Sequence, residues 1–152
     1  MTIEDLAYNA DPNEVLAIKD ELIALYYREL FEKQVYLGQI RKLSGEVIEI
    51  LKKLEVQEEE HARLLMVVLS KANVKVDEYV PKTPLTDANA PLSEAVSFDI
   101  EQETISTAEY LKATNKASPK LKELLDYIMQ EELNHIKLLR DYLEKVAKES
   151  KP

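Results

Sequence analysis

The sequence predicts an all-α protein: a bundle of four long helices built as two repeated helical hairpins joined by a long crossover. Three observations predict it. Apolar residues recur at steps of three and four through four stretches, glycine is nearly absent, and the second half of the chain repeats the first. At 152 residues the whole chain reads as one domain, 1–152, large enough to bury a single extended core. Two glycines and six prolines leave little material for tight β turns, while abundant Leu, Glu, Lys and Ala favour helix.

Residues 1–11 carry no clear pattern and read as an N-terminal arm onto a second subunit. Asp11-Pro12-Asn13-Glu14 then reads as an N-cap, a proline at the first helical position and an acidic first turn. From there the stripe Ile18, Leu22, Leu25, Glu29, Glu32, Tyr36, Ile40, Leu43 predicts a helix over 12–43. Ser44-Gly45 breaks it, and Val47, Leu51, Leu54, Glu58, His61, Leu65, Val68 predict a second over 44–72. Residues 73–91 hold three prolines and no period, so they read as a connection. A third helix is expected over 92–117. Ser118-Pro119 reads as another N-cap and first-position proline, opening a fourth over 118–148 with stripe Leu121, Leu125, Ile128, Glu132, His135, Leu139, Tyr142.

The repeat is ungapped. A shift of 74 residues carries Glu29 to Glu103, Tyr36 to Tyr110, Ser44 to Ser118, Leu51 to Leu125, Glu58 to Glu132 and His61 to His135. The connection decides how the copies are joined. The second helix spans roughly 42 Å at 1.5 Å per residue, and an antiparallel neighbour needs only about 2–8 linking residues. Residues 73–91 can reach about 60 Å, enough to travel the bundle and leave the second and third helices parallel.

Composition excludes several chemistries. No cysteine means no disulfide, thiolate metal site or thiol catalysis, and it fits a reducing cytoplasm, where we expect the protein. The N-terminus shows no basic region followed by an apolar stretch, and the run Leu64 to Leu69 is too short to cross a bilayer. A net charge of −9 with no basic block argues against nucleic acid or an anionic membrane as partner.

The chemistry concentrates on the stripes. Glu58 and His61, like Glu132 and His135, stand three apart on one helical face. Glu29 and Glu103 lie on the stripes of the other two helices, at positions otherwise given to Leu, Val and Ile. Burying four ionised carboxylates together is prohibitive, through lost hydration and mutual repulsion. Two divalent cations neutralise the four charges, and an oxygen and imidazole donor set suits iron, manganese or zinc. A lone Glu-x-x-His arises by chance on solvated faces. Two copies in register, each matched to a Glu 29 residues upstream, are far more specific.

One Glu from each of two helices plus Glu-x-x-His from each of the other two resembles the ligand set of ferritin-like dimetal-carboxylate proteins. The resemblance covers about residues 12 to 146 and is greatest to the rubrerythrin and bacterioferritin side, where a tyrosine commonly follows the single-Glu ligand by seven residues, as Tyr36 and Tyr110 do here. It implies two iron ions held by Glu29, Glu58, His61, Glu103, Glu132 and His135, which would also be the catalytic residues, reacting with O2 or H2O2. It also implies a homo-oligomer. Iron or manganese storage with little turnover, and a dimetal oxygenase acting on an organic substrate, are the alternatives.

Departures from the family pattern sharpen these expectations. Without the cysteines of a rubredoxin domain, any electron donor must be a separate protein. The neighbour of Glu58 is Glu59, where bacterioferritin has a haem-binding methionine, so no haem is expected; without a fifth helix, neither is a storage shell. Glu32, whose repeat partner is Ser106, is a candidate seventh metal ligand or a rim residue. Tyr36 and Tyr110 either bond the ligand carboxylates or fill core. Gln57 and Glu131, one turn before each histidine, either orient the imidazoles or face solvent, and Asp99 before Glu103 is equally open.

Overall fold

A computed structural model describes residues 1–77 and 91–149. Six helices account for most of them: α1 (Ile3–Tyr8), α2 (Pro12–Ala17), α3 (Lys19–Lys42), α4 (Val47–Lys71), α5 (Leu92–Lys116) and α6 (Pro119–Glu149). No strand occurs among the described residues.

The hairpin α3–α4 turns at Gly45, whose φ of +89° lies where a side chain would be strained. α4 ends in a Schellman motif: Asn73 takes φ 58°, its amide bonds the Ser70 carbonyl, and the Val74 amide bonds that of Leu69. Side-chain bonds between the hairpins fix their relative direction. Glu21 meets Lys116 while Gln39 meets Asp99, so α3 and α5 are antiparallel. Glu46 meets Lys145 while Glu58 meets His135, so α4 and α6 are antiparallel too. Because α3 is also antiparallel to α4, helices α4 and α5 run parallel, as the length of the connection predicts. Residues 78–90 of the expected crossover lie outside the described residues.

Three details differ from expectation. The first long helix is interrupted at Ile18, with φ −126° and ψ 31°, which splits 12–43 into α2 and α3. Residues 1–11 pack on this chain itself: α1 lays Leu6 and Ala7 into its core, capped by a reciprocal Thr2–Asp5 box. Asp11 caps α2 through the Asn13 and Glu14 amides, but the Ser118 hydroxyl is buried without a partner, and only its carbonyl engages α6, at the Lys122 amide.

Two apolar clusters fill the bundle. One joins Leu22, Leu25, Leu65, Val68, Leu125 and Ile128, and is closed by α1 and α2. The other joins Val47, Leu51, Leu54, Val96 and Leu139. Between them lies a layer of buried carboxylates and imidazoles.

Candidate metal centre

Helix periodicity brings the layer together. Glu29 on α3, Glu58 and His61 on α4, Glu103 on α5, and Glu132 and His135 on α6 are each at most 1% exposed. The structure gathers all six residues singled out from the sequence into two overlapping groups. Glu29, Glu58, His61 and Glu132 form one, and Glu58, Glu103, Glu132 and His135 the other; within each, one possible ligand atom per residue lies within 4.8 Å of the rest. Glu58 and Glu132 belong to both groups.

Each histidine turns Nδ1 into the layer. His61 Nδ1 lies 2.9 Å from Glu132 Oε1 and 3.4 Å from Glu29 Oε2, and His135 Nδ1 lies 2.8 Å from Glu58 Oε1 and 3.2 Å from Glu103 Oε1. The two rings stack across the layer, 6.1 Å apart and 19° from parallel. Their outer nitrogens meet Glu131 and Gln57, but not on the expected helix. His61 Nε2 contacts Glu131 of α6 at 3.1 Å, and His135 Nε2 contacts Gln57 of α4 at 2.5 Å.

Both tyrosines reach across as well. Tyr36 donates to Glu103 and Tyr110 to Glu29, each at 2.5 Å. Burial and the neighbouring carboxylates push both phenols well above their usual range, so they stay protonated donors. Asp99 is buried, but it accepts from Gln39 Nε2 at 2.7 Å and touches neither histidine. Burial lifts its carboxyl to about 8 against the Gln39 bond that lowers it.

Glu32 is buried on the stripe yet belongs to neither group. Ser106 and Arg28 both donate to its Oε1, and Arg28 is itself anchored on the Ser106 hydroxyl and on Gln102. Sequence reading missed Arg28. Its position four residues before Glu32, one helical turn away, was the available signal.

The electrostatics are those of a layer short of positive charge. Burial first, then the other carboxylates, push Glu58 and Glu132 well above the ordinary carboxylate range. Burial does the same for Glu32, reinforced by Glu103. Burial would also raise Glu29, but the His61 charge and the bonds it accepts outweigh that and hold it at about 2. In return Glu29 and Glu131 overcome the burial of His61 and lift it to about 10. Glu29 Oε2, Glu58 Oε2, Glu103 Oε2 and Glu132 Oε2 are nonetheless buried without a hydrogen-bond partner. Buried oxygens left unsatisfied are costly, and four of them converging beside two imidazoles fit divalent metal ions.

Two cavities among the described residues lie elsewhere. One of about 360 Å3 is lined by Tyr26, Leu30, Lys33, Glu59, Ala62, Arg63 and Met66 of α3 and α4. Another of about 580 Å3 sits at the bundle end around Pro12 and Pro119. No helix among the described residues is long and apolar enough to cross a membrane.

Comparison with known proteins agrees with this geometry. No curated protein matches the chain. The family model described as Rubrerythrin matches residues 23–143, from the start of α3 almost to the end of α6, and therefore spans every residue of the buried layer. With that match over most of its length, the chain belongs to the Rubrerythrin family, a ferritin-like family of diiron-carboxylate proteins.

Proposed function

We propose that the protein is a non-haem di-iron oxidoreductase that oxidises Fe(II) with O2 or reduces H2O2 inside its bundle. The observation that carries this reading is the pair of overlapping, fully buried Glu/His groups that share Glu58 and Glu132. In it, Glu29 and His61 would complete one metal position, Glu103 and His135 the other, and Glu58 and Glu132 would serve both. Two bound Fe(II) ions would supply one electron each to the oxidant.

The surrounding residues prepare that donor set. Glu131 and Gln57 hold the outer imidazole nitrogens, which leaves Nδ1 of each histidine free to point inward. Tyr110 and Tyr36 fix the orientations of Glu29 and Glu103 and keep one oxygen of each engaged. Complete burial of the six side chains favours a reactant as small as O2 or H2O2 over an organic substrate. The same burial supports a second reading, in which iron or manganese is held with little turnover.

Anaerobic Fe(II) loading, followed by separate O2 and H2O2 pulses watched by absorbance, tests the proposal. Two irons per chain and fast oxidation by at least one oxidant are expected. Iron retained but inert to both would leave the holding role, and failure to retain either Fe(II) or Mn(II) would sink both readings.

A further inference from the structure

The two halves of the layer match at the 74-residue spacing in all six Glu/His positions and both tyrosines, but they differ at Glu32 opposite Ser106, at Asp99 opposite Leu25, and where they touch the outer histidine nitrogens. Glu131 and Gln57 are repeat equivalents. One brings a carboxylate to His61 Nε2 and the other a neutral amide oxygen to His135 Nε2. We propose that this difference, the one made directly on the imidazoles, makes the two metal positions unequal, with Glu131 acting as a positioning residue that causes the His61 position to fill first. The inference rests on the dimetal reading above.

A carboxylate accepting the Nε2 proton draws it outward and enriches Nδ1, the nitrogen aimed at Glu29 and Glu132. It also adds a formal negative charge on the far side of the ring from a cation. The Gln57 amide oxygen does neither to the same degree. Its contact is shorter, 2.5 Å against 3.1 Å, but charge-assisted hydrogen bonds are roughly twice as strong as neutral ones. Much of what touches the ligands directly is the same in both halves. Each single glutamate accepts one tyrosine hydroxyl at 2.5 Å, and Glu58 and Glu132 are common to both groups. Glu32 has no carboxylate counterpart and interacts with Glu103 more than with Glu29, which works against the bias, but it shares its charge with Arg28. The Glu131 side chain is 25% exposed, so solvent weakens its influence. The expected bias is therefore about tenfold, at the low end of what partners of metal-bound histidines contribute.

The chain has only two histidines, so occupancy can be read at each ring separately. Metal-free protein labelled with 15N in the imidazoles is titrated with Zn(II), and the ring resonances are followed by NMR. Well below one equivalent, the zinc-shifted signal of His61 should exceed that of His135 by about tenfold. Glu131→Gln should bring the two within about twofold, and Gln57→Glu should do so by raising His135 instead. Both substitutions preserve side-chain shape, and either one alone suffices for the comparison. Equal filling in the wild type, or a bias that survives Glu131→Gln, overturns the inference and leaves the dimetal centre standing. Zinc that shifts neither histidine overturns both.

Discussion

Along α4, Leu51 and Leu54 pack into one apolar cluster, Leu64, Leu65 and Val68 into the other, and Glu58 and His61 lie just as deep between them. The leucines leave water at a gain of roughly 25 cal/mol per Å2 of apolar surface. Glu58 loses its hydration and meets other carboxylates, which is why burial and repulsion raise its pKa. The ends of the bundle therefore stabilise the fold, and the middle opposes it unless something positive occupies the layer.

The largest test of this contrast is metal itself. Fe(II) or Mn(II) in thousandfold excess over its dissociation constant should stabilise the protein by about 4 kcal/mol per site. Thermal melts with metal and with chelator measure this directly, and a midpoint indifferent to both would mean the layer binds nothing. An end-cluster substitution should cost nearly as much without touching the metals. Leu65→Ala, at a fully buried position, is expected to lose about 2–5 kcal/mol while retaining metal stoichiometry. Loss of metal in that variant would show that the ends and the middle are not separable.

The metal-free protein should also lose stability as pH rises. The raised pKa values of Glu58, Glu132 and Glu32 mean that the fold binds more protons than the unfolded chain above the ordinary carboxylate value of 4.5. Their contribution is complete below that value and is lost as the pH climbs toward the raised values. His61 adds to the decline between 6.5 and about 10. Glu29 acts oppositely, losing its contribution only as pH falls from 4.5 toward about 2. Denaturant unfolding of metal-free protein at pH 5, 7 and 9 should show a falling series. Replacing Glu58 and Glu132 together with Leu should flatten it, abolish metal binding and leave the metal-free bundle at least as stable, because repulsion is exchanged for packing. A double mutant much less stable than metal-free wild type would contradict that account of the layer. The smallest stability change is expected from Glu32→Ala, which should keep both metals while slowing peroxide turnover. An unchanged peroxide rate would reduce Glu32 to a bystander held by Arg28 and Ser106.

The main lines of the fold and the composition of the layer were legible because periodicity and repetition report them jointly. A glutamate on an apolar stripe is ambiguous once, but much less so when Glu29 recurs as Glu103 in register with Tyr110. What stayed hidden depends on neighbours from other helices. Spacing within one helix relates Gln57 to His61, yet its partner is His135, and no single-helix pattern could show that. The break at Ile18 has no glycine or proline to announce it. The Ser118 hydroxyl has the right residue type for a cap but makes no bond, and α1 was too short for a periodic signal.

The bonds made by the two tyrosines and by the outer histidine nitrogens all cross from one hairpin to the other. Tyr36 holds Glu103 while Tyr110 holds Glu29, and Gln57 meets His135 while Glu131 meets His61. Under the 74-residue equivalence these become reciprocal pairs, in which a residue touches the counterpart of its partner in both directions. That is the signature of an isologous twofold interface, the kind that joins identical subunits, here contained in one polypeptide. A single hairpin pairing with its own copy would possess all of these braces except the ones that Glu131, Glu32 and Asp99 make one-sided. Joining the copies in one chain is what allows such differences at all, because a true homodimer must change both halves of its site together.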